Sequence, residues 1–241
     1  MNLNKKNWTN EDYKQFLSFL ESKKNEDYKN FEKTLMPEVD NLLGIKPSEI
    51  KKIARDICNG NENEFLNYNT NTYYEENLLH GFIITNTQKI NNEIMEKLDN
   101  YLQNINDCTT CDLICNNFKI IKKNKEAYLK YIYNHITSNN PWKKRFAYKI
   151  LINYYLEESY LTQIFTLAER YNTEDHNVNM AVAELISSAY LKYPNMTLPF
   201  ISNNKLNALT QNNIIKNIKR SPKTTNNEKM KLNKLKKQER K

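Results

Sequence analysis

Apolar residues recur along this chain in steps of three and four, interrupted by short polar joints, and that pattern predicts helices. Thr9 with Asp12 three residues on reads as a helix start, followed by an apolar stripe at Phe16, Leu17 and Leu20. A second short helix, N-E-D-Y-K-N-F-E-K-T-L, stops at Met36-Pro37. After L-L-G-I-K-P comes S-E-I-K-K-I-A-R-D-I-C, which places Ile50, Ile53, Ala54 and Ile57 on one face. Pro47 suits the first turn of that helix, where its missing N–H costs nothing. Asn59-Gly60-Asn61 breaks the chain, and helices are expected over 73–86, 89–103, 106–118, 122–138, 141–157, 160–171, 175–193 and 207–220.

The joints between these helices are short and rich in Asn, Thr and Ser, which makes sequential helices antiparallel neighbours. Stripes such as F-A-Y-K-I-L-I-N-Y-Y-L are broad enough to pack on both sides. Helix pairs recur at about 35–45 residues, the period of a HEAT-like α-solenoid. The repeats share little sequence, so a globular helical bundle fits the same pattern. The low count of three glycines and six prolines in 241 residues argues for mostly helix, since a sheet protein of this size needs many turns, and the expected class is all-α. No apolar run approaches the roughly 18 residues of a membrane span, so no membrane is expected as a partner. The start M-N-L-N-K-K-N-W lacks the apolar core of a signal peptide. Four cysteines in such a chain fit free thiols in a reducing cytosol, and a cytoplasmic location is expected.

The formal net charge of +8 is unevenly placed. Residues 216–241 hold eleven Lys/Arg against two Glu, leaving the other 215 residues with a net charge of −1. Within that body, 119–149 carries nine basic residues against Glu126 alone. Two basic regions on an otherwise acidic protein point to a polyanion as partner. A solvated lysine-rich surface is the plainer alternative. The stretch from 222 to 241, poor in aromatics and rich in lysine, is expected to be a basic tail beyond a domain at 1–221, either flexible or a solvated helix.

The stretch I-N-D-C-T-T-C-D-L-I-C (105–115) holds three of the four cysteines. On a helix, Cys108, Cys111 and Cys115 share one stripe. A zinc site would need a second ligand pair at short spacing, whereas Cys58 is remote and His80, His135 and His176 stand singly. The stripe therefore reads as core, and neither metal nor other cofactor is expected. Asp112 lies at the border of that stripe, about 40° around the helix from Cys108. It is a capping or ion-pairing group, or a functional carboxylate.

Six segments in order carry a family resemblance: L-L-G-I-K-P-S-E-I-K-K-I-A-R-D-I (42–57), Y-E-E-N-L-L-H-G (74–81), I-N-D-C-T-T-C-D (105–112), P-W-K-K-R-F-A (141–147), V-N-M-A-V-A-E-L-I-S-S-A-Y-L-K-Y-P (178–194) and T-L-P-F-I-S-N-N-K-L (197–206). With these the chain resembles the AlkD-like DNA alkylation repair family, helical HEAT-like-repeat DNA glycosylases. The resemblance implies an α-solenoid that grips duplex DNA and excises cationic N3- or N7-alkylated purines by hydrolysing the N-glycosidic bond; separately, a monomer is expected. A carboxylate would stabilise the oxocarbenium-like sugar and position water. Asp112 falls on the family's catalytic aspartate and Arg145 on its DNA-contacting arginine. Lys143, Lys144 and Lys149 join Arg145 as expected phosphate contacts, since such contacts position without reading sequence. Trp142 and Tyr28 are candidates to line the cleft, with core packing as the alternative for each.

The chain departs from the family pattern at two places. Cys108 and Glu184 stand where the resemblance places tryptophans that hold the lesion and sugar and favour a cation. The rival expectation is accordingly a non-catalytic, DNA-structure-binding or protein-interaction solenoid of the same fold.

Overall fold

A computed structural model describes residues 1–88 and 90–238. Fourteen α-helices and no strand occur among them, as the all-α pattern predicts. The chain divides into two compact units, 1–101 with 116–120, and 102–115 with 121–241. No helix of the described residues is long and apolar enough to cross a membrane.

The first unit holds α1 (Asn10–Glu21), α2 (Glu26–Leu35), α3 (Pro47–Cys58), α4 (Glu62–Asn67), α5 (Tyr74–Thr85) and most of α6 (Asn92–Gln103). Thr9 and Asp12 form the expected capping box, and α1 buries Tyr13, Phe16 and Leu20. Tyr13 and Phe16 meet Phe65, whose ring centroid lies 4.9 Å from both Trp8 and Phe16. Pro47 occupies the first turn of α3, whose Ile50, Ile53, Ala54 and Ile57 are buried, and α3 packs on α5. Gly44 in L-L-G-I-K-P adopts φ +80°, and a Cβ there would lie 2.3 Å from the Asn25 carbonyl oxygen. That turn aims the N–H groups of Leu43, Gly44 and Ile45 at the buried carboxylate of Glu75, which accepts all three within 3.1 Å.

The expected helix 89–103 begins instead at Asn92, because Asn91 accepts the Ile94 N–H at 2.9 Å and so caps it. Its expected first residue, Lys89, lies outside the described residues.

The second unit holds α7 (Cys108–Asn117, up to Cys115), α8 (Lys125–Thr137), α9 (Pro141–Tyr154), α10 (Leu161–Arg170), α11 (His176–Lys192), α12 (Pro194–Ser202), α13 (Ala208–Arg220) and α14 (Asn226–Asn233). α8 packs on α9, α9 on α11, and α11 on both α12 and α13. Asn140, Asp175 and Asn207 cap α9, α11 and α13, each accepting backbone N–H bonds from the first turn. Such caps satisfy donors that have no partner within the helix.

The stretch expected to be a basic tail, flexible or a solvated helix, holds α14. A Thr225–Glu228 capping box opens it and Leu232 is buried. Beyond it the Lys237 ammonium donates to the Asn204 carbonyl (2.8 Å), its side-chain oxygen (3.0 Å) and the Leu206 carbonyl (2.7 Å). Gln211 on α13 donates to the Leu235 carbonyl at 3.0 Å. One buried leucine and a set of hydrogen bonds dock a segment whose composition alone reads as solvated. The last three residues of that stretch, 239–241, lie outside the described residues.

Candidate functional site

Helix α7 begins where Asp107 accepts the Thr110 N–H at 2.7 Å. Its inner face carries Cys111, Ile114 and Cys115, all fully buried. Cys115 fixes α7 to α9 twice: its thiol donates to the Phe146 carbonyl at 3.6 Å, and its own carbonyl accepts from the Tyr154 hydroxyl at 2.8 Å. Burial pushes the Cys115 thiol well up, so it acts as a small hydrophobe. Cys108 departs from the expected stripe: it is the first helical residue and is exposed. Among the described residues no group of three His, Cys, Asp or Glu is placed to hold a metal ion.

Asp112 stands at the edge of this buried face, with its side chain 28% exposed. Arg145 and Lys149 lie one turn apart on α9, so both reach across to α7 and α11 from one edge. The Arg145 guanidinium donates from Nε to Asp112 Oδ1 (3.1 Å) and from Nη2 to Oδ2 (2.8 Å), while Nη1 donates to the Asn177 carbonyl on α11 (2.9 Å). Lys149 Nζ lies 3.2 Å from Asp112 Oδ2 and 2.7 and 2.8 Å from the two carboxylate oxygens of Glu184 on α11. Two cations and two carboxylates thus form one closed, formally neutral network across three helices.

The network is layered. The side chains of Arg145 and Lys149 are both 8% exposed, whereas Glu184 is 44% exposed. Burial alone would pull both cations down, but their partners outweigh it. Asp112 holds Arg145 above its ordinary value, and Glu184 with Asp112 does the same for Lys149. Such paired, charge-assisted bonds are short and directional, and they fix the Asp112 carboxylate in one orientation.

The structure therefore brings together Asp112, Arg145, Lys149 and Glu184, with Cys108 one helical turn before Asp112. Arg145 and Lys149, expected on phosphates, are turned inward onto carboxylates. Lys143 and Lys144 sit in the first turn of α9 beside Trp142, and all three are partly buried. Tyr28 belongs to α2 of the first unit, next to Phe31 with ring centroids 6.1 Å apart. Sequence reasoning missed the Asn177 carbonyl as the third anchor of Arg145, and Lys149 as a bridge between two acids. The four-residue spacing of Arg145 and Lys149 was the available signal.

The described residues define an all-helical protein that holds a part-exposed carboxylate on two buried cations. A family model described as "DNA alkylation repair enzyme" matches residues 16–223, and the chain belongs to that family. Membership supports a role in DNA alkylation repair, with DNA as the partner. No curated protein matches the chain significantly.

Proposed function

We propose that the protein is a DNA glycosylase that excises cationic N3- or N7-alkylated purines from duplex DNA by hydrolysis of the N-glycosidic bond. The observation that carries this reading is the Asp112 carboxylate, held rigidly by Arg145 and Lys149 yet open to solvent along one side. An alkylated purine already bears positive charge and leaves without protonation, so the protein needs only to stabilise the cationic sugar that remains. A preorganised carboxylate does this at no reorganisation cost. Oδ2 takes two of the cations' bonds and Oδ1 one, so Oδ1 has the greater acceptor capacity left for the sugar or for attacking water. Lys143 and Lys144 are the proposed phosphate contacts. The packing of α9 on α11 and of α11 on α13, every second helix in turn, supports a solenoid of helix pairs.

The test is chromatographic release of 7-methylguanine and 3-methyladenine from methylated duplex DNA. Wild-type protein is expected to release both, and Asp112→Asn to release them about 10²–10³-fold more slowly. Absence of release by the wild type overturns the proposal. One observation favours the second reading, a non-catalytic DNA binder: two cations already neutralise much of Asp112's charge, and Glu184 is engaged with Lys149. That reading expects tight duplex binding with no base released.

A further inference from the structure

Lys149 is shared unequally. It lies closer to both oxygens of Glu184 (2.7 and 2.8 Å) than to Asp112 (3.2 Å), and Glu184 grips it from the solvent side. Without Glu184 the ammonium would have Asp112 as its one remaining carboxylate in this network. Asp112 would then face two undivided positive charges, and the network would carry a net positive charge beneath the place where a cationic sugar must form. At short range in a partly dry site, one such charge changes a transition-state energy measurably.

From this arrangement we infer that Glu184 is a positioning residue for catalysis: by drawing Lys149 off Asp112, it keeps the Asp112 carboxylate negative enough to stabilise a cation. This rests on the glycosylase reading above. Glu184 itself touches neither sugar nor base in this scheme and acts through Lys149. The position that the family resemblance assigns to a cation-favouring tryptophan is thereby used for charge balance instead of stacking.

The inference predicts a rescue that follows charge balance among variants of equal stability. Glu184→Gln removes one negative charge and should slow single-turnover base release about tenfold. Adding Lys149→Met restores the charge balance and should bring the rate back to within about threefold of wild type. If the network only holds helices together, the rates must follow the melting temperatures of the variants rather than their charge balance, and that result overturns the inference. Far-UV circular dichroism and melting of each variant confirm that folded protein is being compared.

A second readout needs no base release. Duplexes carrying a cationic pyrrolidine or a neutral tetrahydrofuran ring in place of one sugar are bound in parallel. The wild type should prefer the cationic ring. Glu184→Gln should shrink that preference about tenfold, and the double variant should recover it. An unchanged preference in Glu184→Gln overturns the inference whatever the rates. If the preference follows this cycle but no variant releases base, the glycosylase reading fails while the charge-balancing role of Glu184 stands.

Discussion

Arg145 grips Asp112 at both carboxylate oxygens, Nε to Oδ1 at 3.1 Å and Nη2 to Oδ2 at 2.8 Å, and its third arm reaches the Asn177 carbonyl at 2.9 Å. One planar guanidinium therefore ties α7, α9 and the first turn of α11 together. A lysine has no fork with which to reproduce this geometry. The pair that orients the candidate catalyst is also a tie between three helices, so the proposed catalysis and the stability of the fold are coupled at this point.

Arg145→Ala should therefore destabilise the protein rather than simply weaken DNA binding. It leaves Asp112 with Lys149 alone and opens space among buried side chains. Breaking a buried pair by removing one partner costs about 3–5 kcal/mol. Asp112 is partly solvated, so about 2–3 kcal/mol is expected here. Arg145→Lys should lose somewhat less. The check is a denaturant titration, with the midpoint lowered and its slope unchanged. A loss below about 0.5 kcal/mol would reduce the pair to the worth of an ordinary surface ion pair.

Acid should act on the first unit through His80. Burial pushes its imidazole down to about 4. The ring lies 5.1 Å from that of Tyr101, and its Nδ1 is 3.3 Å from the Asn69 amide nitrogen. The folded state disfavours the protonated ring, while the unfolded chain takes up a proton near pH 6.5. The stabilisation from neutral His80 is therefore complete above pH 6.5 and is lost as pH falls through about 4. We expect a loss of about 2 kcal/mol over that interval, less than the full shift implies because the ring is not wholly dry. His80→Phe should flatten the dependence, as urea titrations at pH 7 and 4.5 would show. Equal losses in variant and wild type would place the acid sensitivity elsewhere.

Features set by neighbouring residues were legible in the sequence. The Thr9–Asp12 capping box and the Ile50–Ile53–Ala54–Ile57 face of α3 depend on spacings of three and four, and both occur as read. The network around Asp112 was not, because its members come from three helices and meet across 33 and 35 residues of chain. Periodicity places Arg145 and Lys149 on one edge of α9, but it does not say that the edge faces carboxylates. Nine basic residues in 119–149 read as a charged surface, and two of them are spent inside. Cys108 shares a helical stripe with Cys111 and Cys115 yet is exposed, since it is the first residue of α7. Composition also hid α12 and the docking of α14. Pro194 starts α12, and α14 docks with Leu232 as its one fully buried apolar residue.

Truncation after Ser221 tests that docking. The removed segment takes with it Leu232, whose burial alone is worth about 1.5–3 kcal/mol. It also removes the three bonds by which the Lys237 ammonium satisfies the Asn204 and Leu206 acceptors. Gln211 loses the Leu235 carbonyl as well. A melting temperature lower by about 4–8 °C is expected, the shift that a loss of a few kcal/mol produces in a chain of this length. An unchanged melting temperature would mean that the segment contributes charge alone.

Duplex binding should divide the basic residues into two kinds. Each phosphate neutralised by Lys or Arg releases condensed counterions, and log K falls with log salt by about 0.9 per contact. Lys143 and Lys144 lie in the first turn of α9, where the helix dipole adds to their positive field. The inner pair, Arg145 and Lys149, is already matched by Asp112 and Glu184. Alanine at both 143 and 144 should flatten the salt slope by about two units at unchanged stability. Lys149→Met should leave the slope almost unchanged, because a cation facing carboxylates releases no phosphate counterion. Lys231 and Lys234 on and just after α14 are exposed and form the competing basic surface. Alanine at both should lower affinity at low salt by less than the 143/144 pair does. If the 231/234 pair instead removes most of the salt dependence and the 143/144 pair none, the DNA footprint lies on α14 and not at the start of α9.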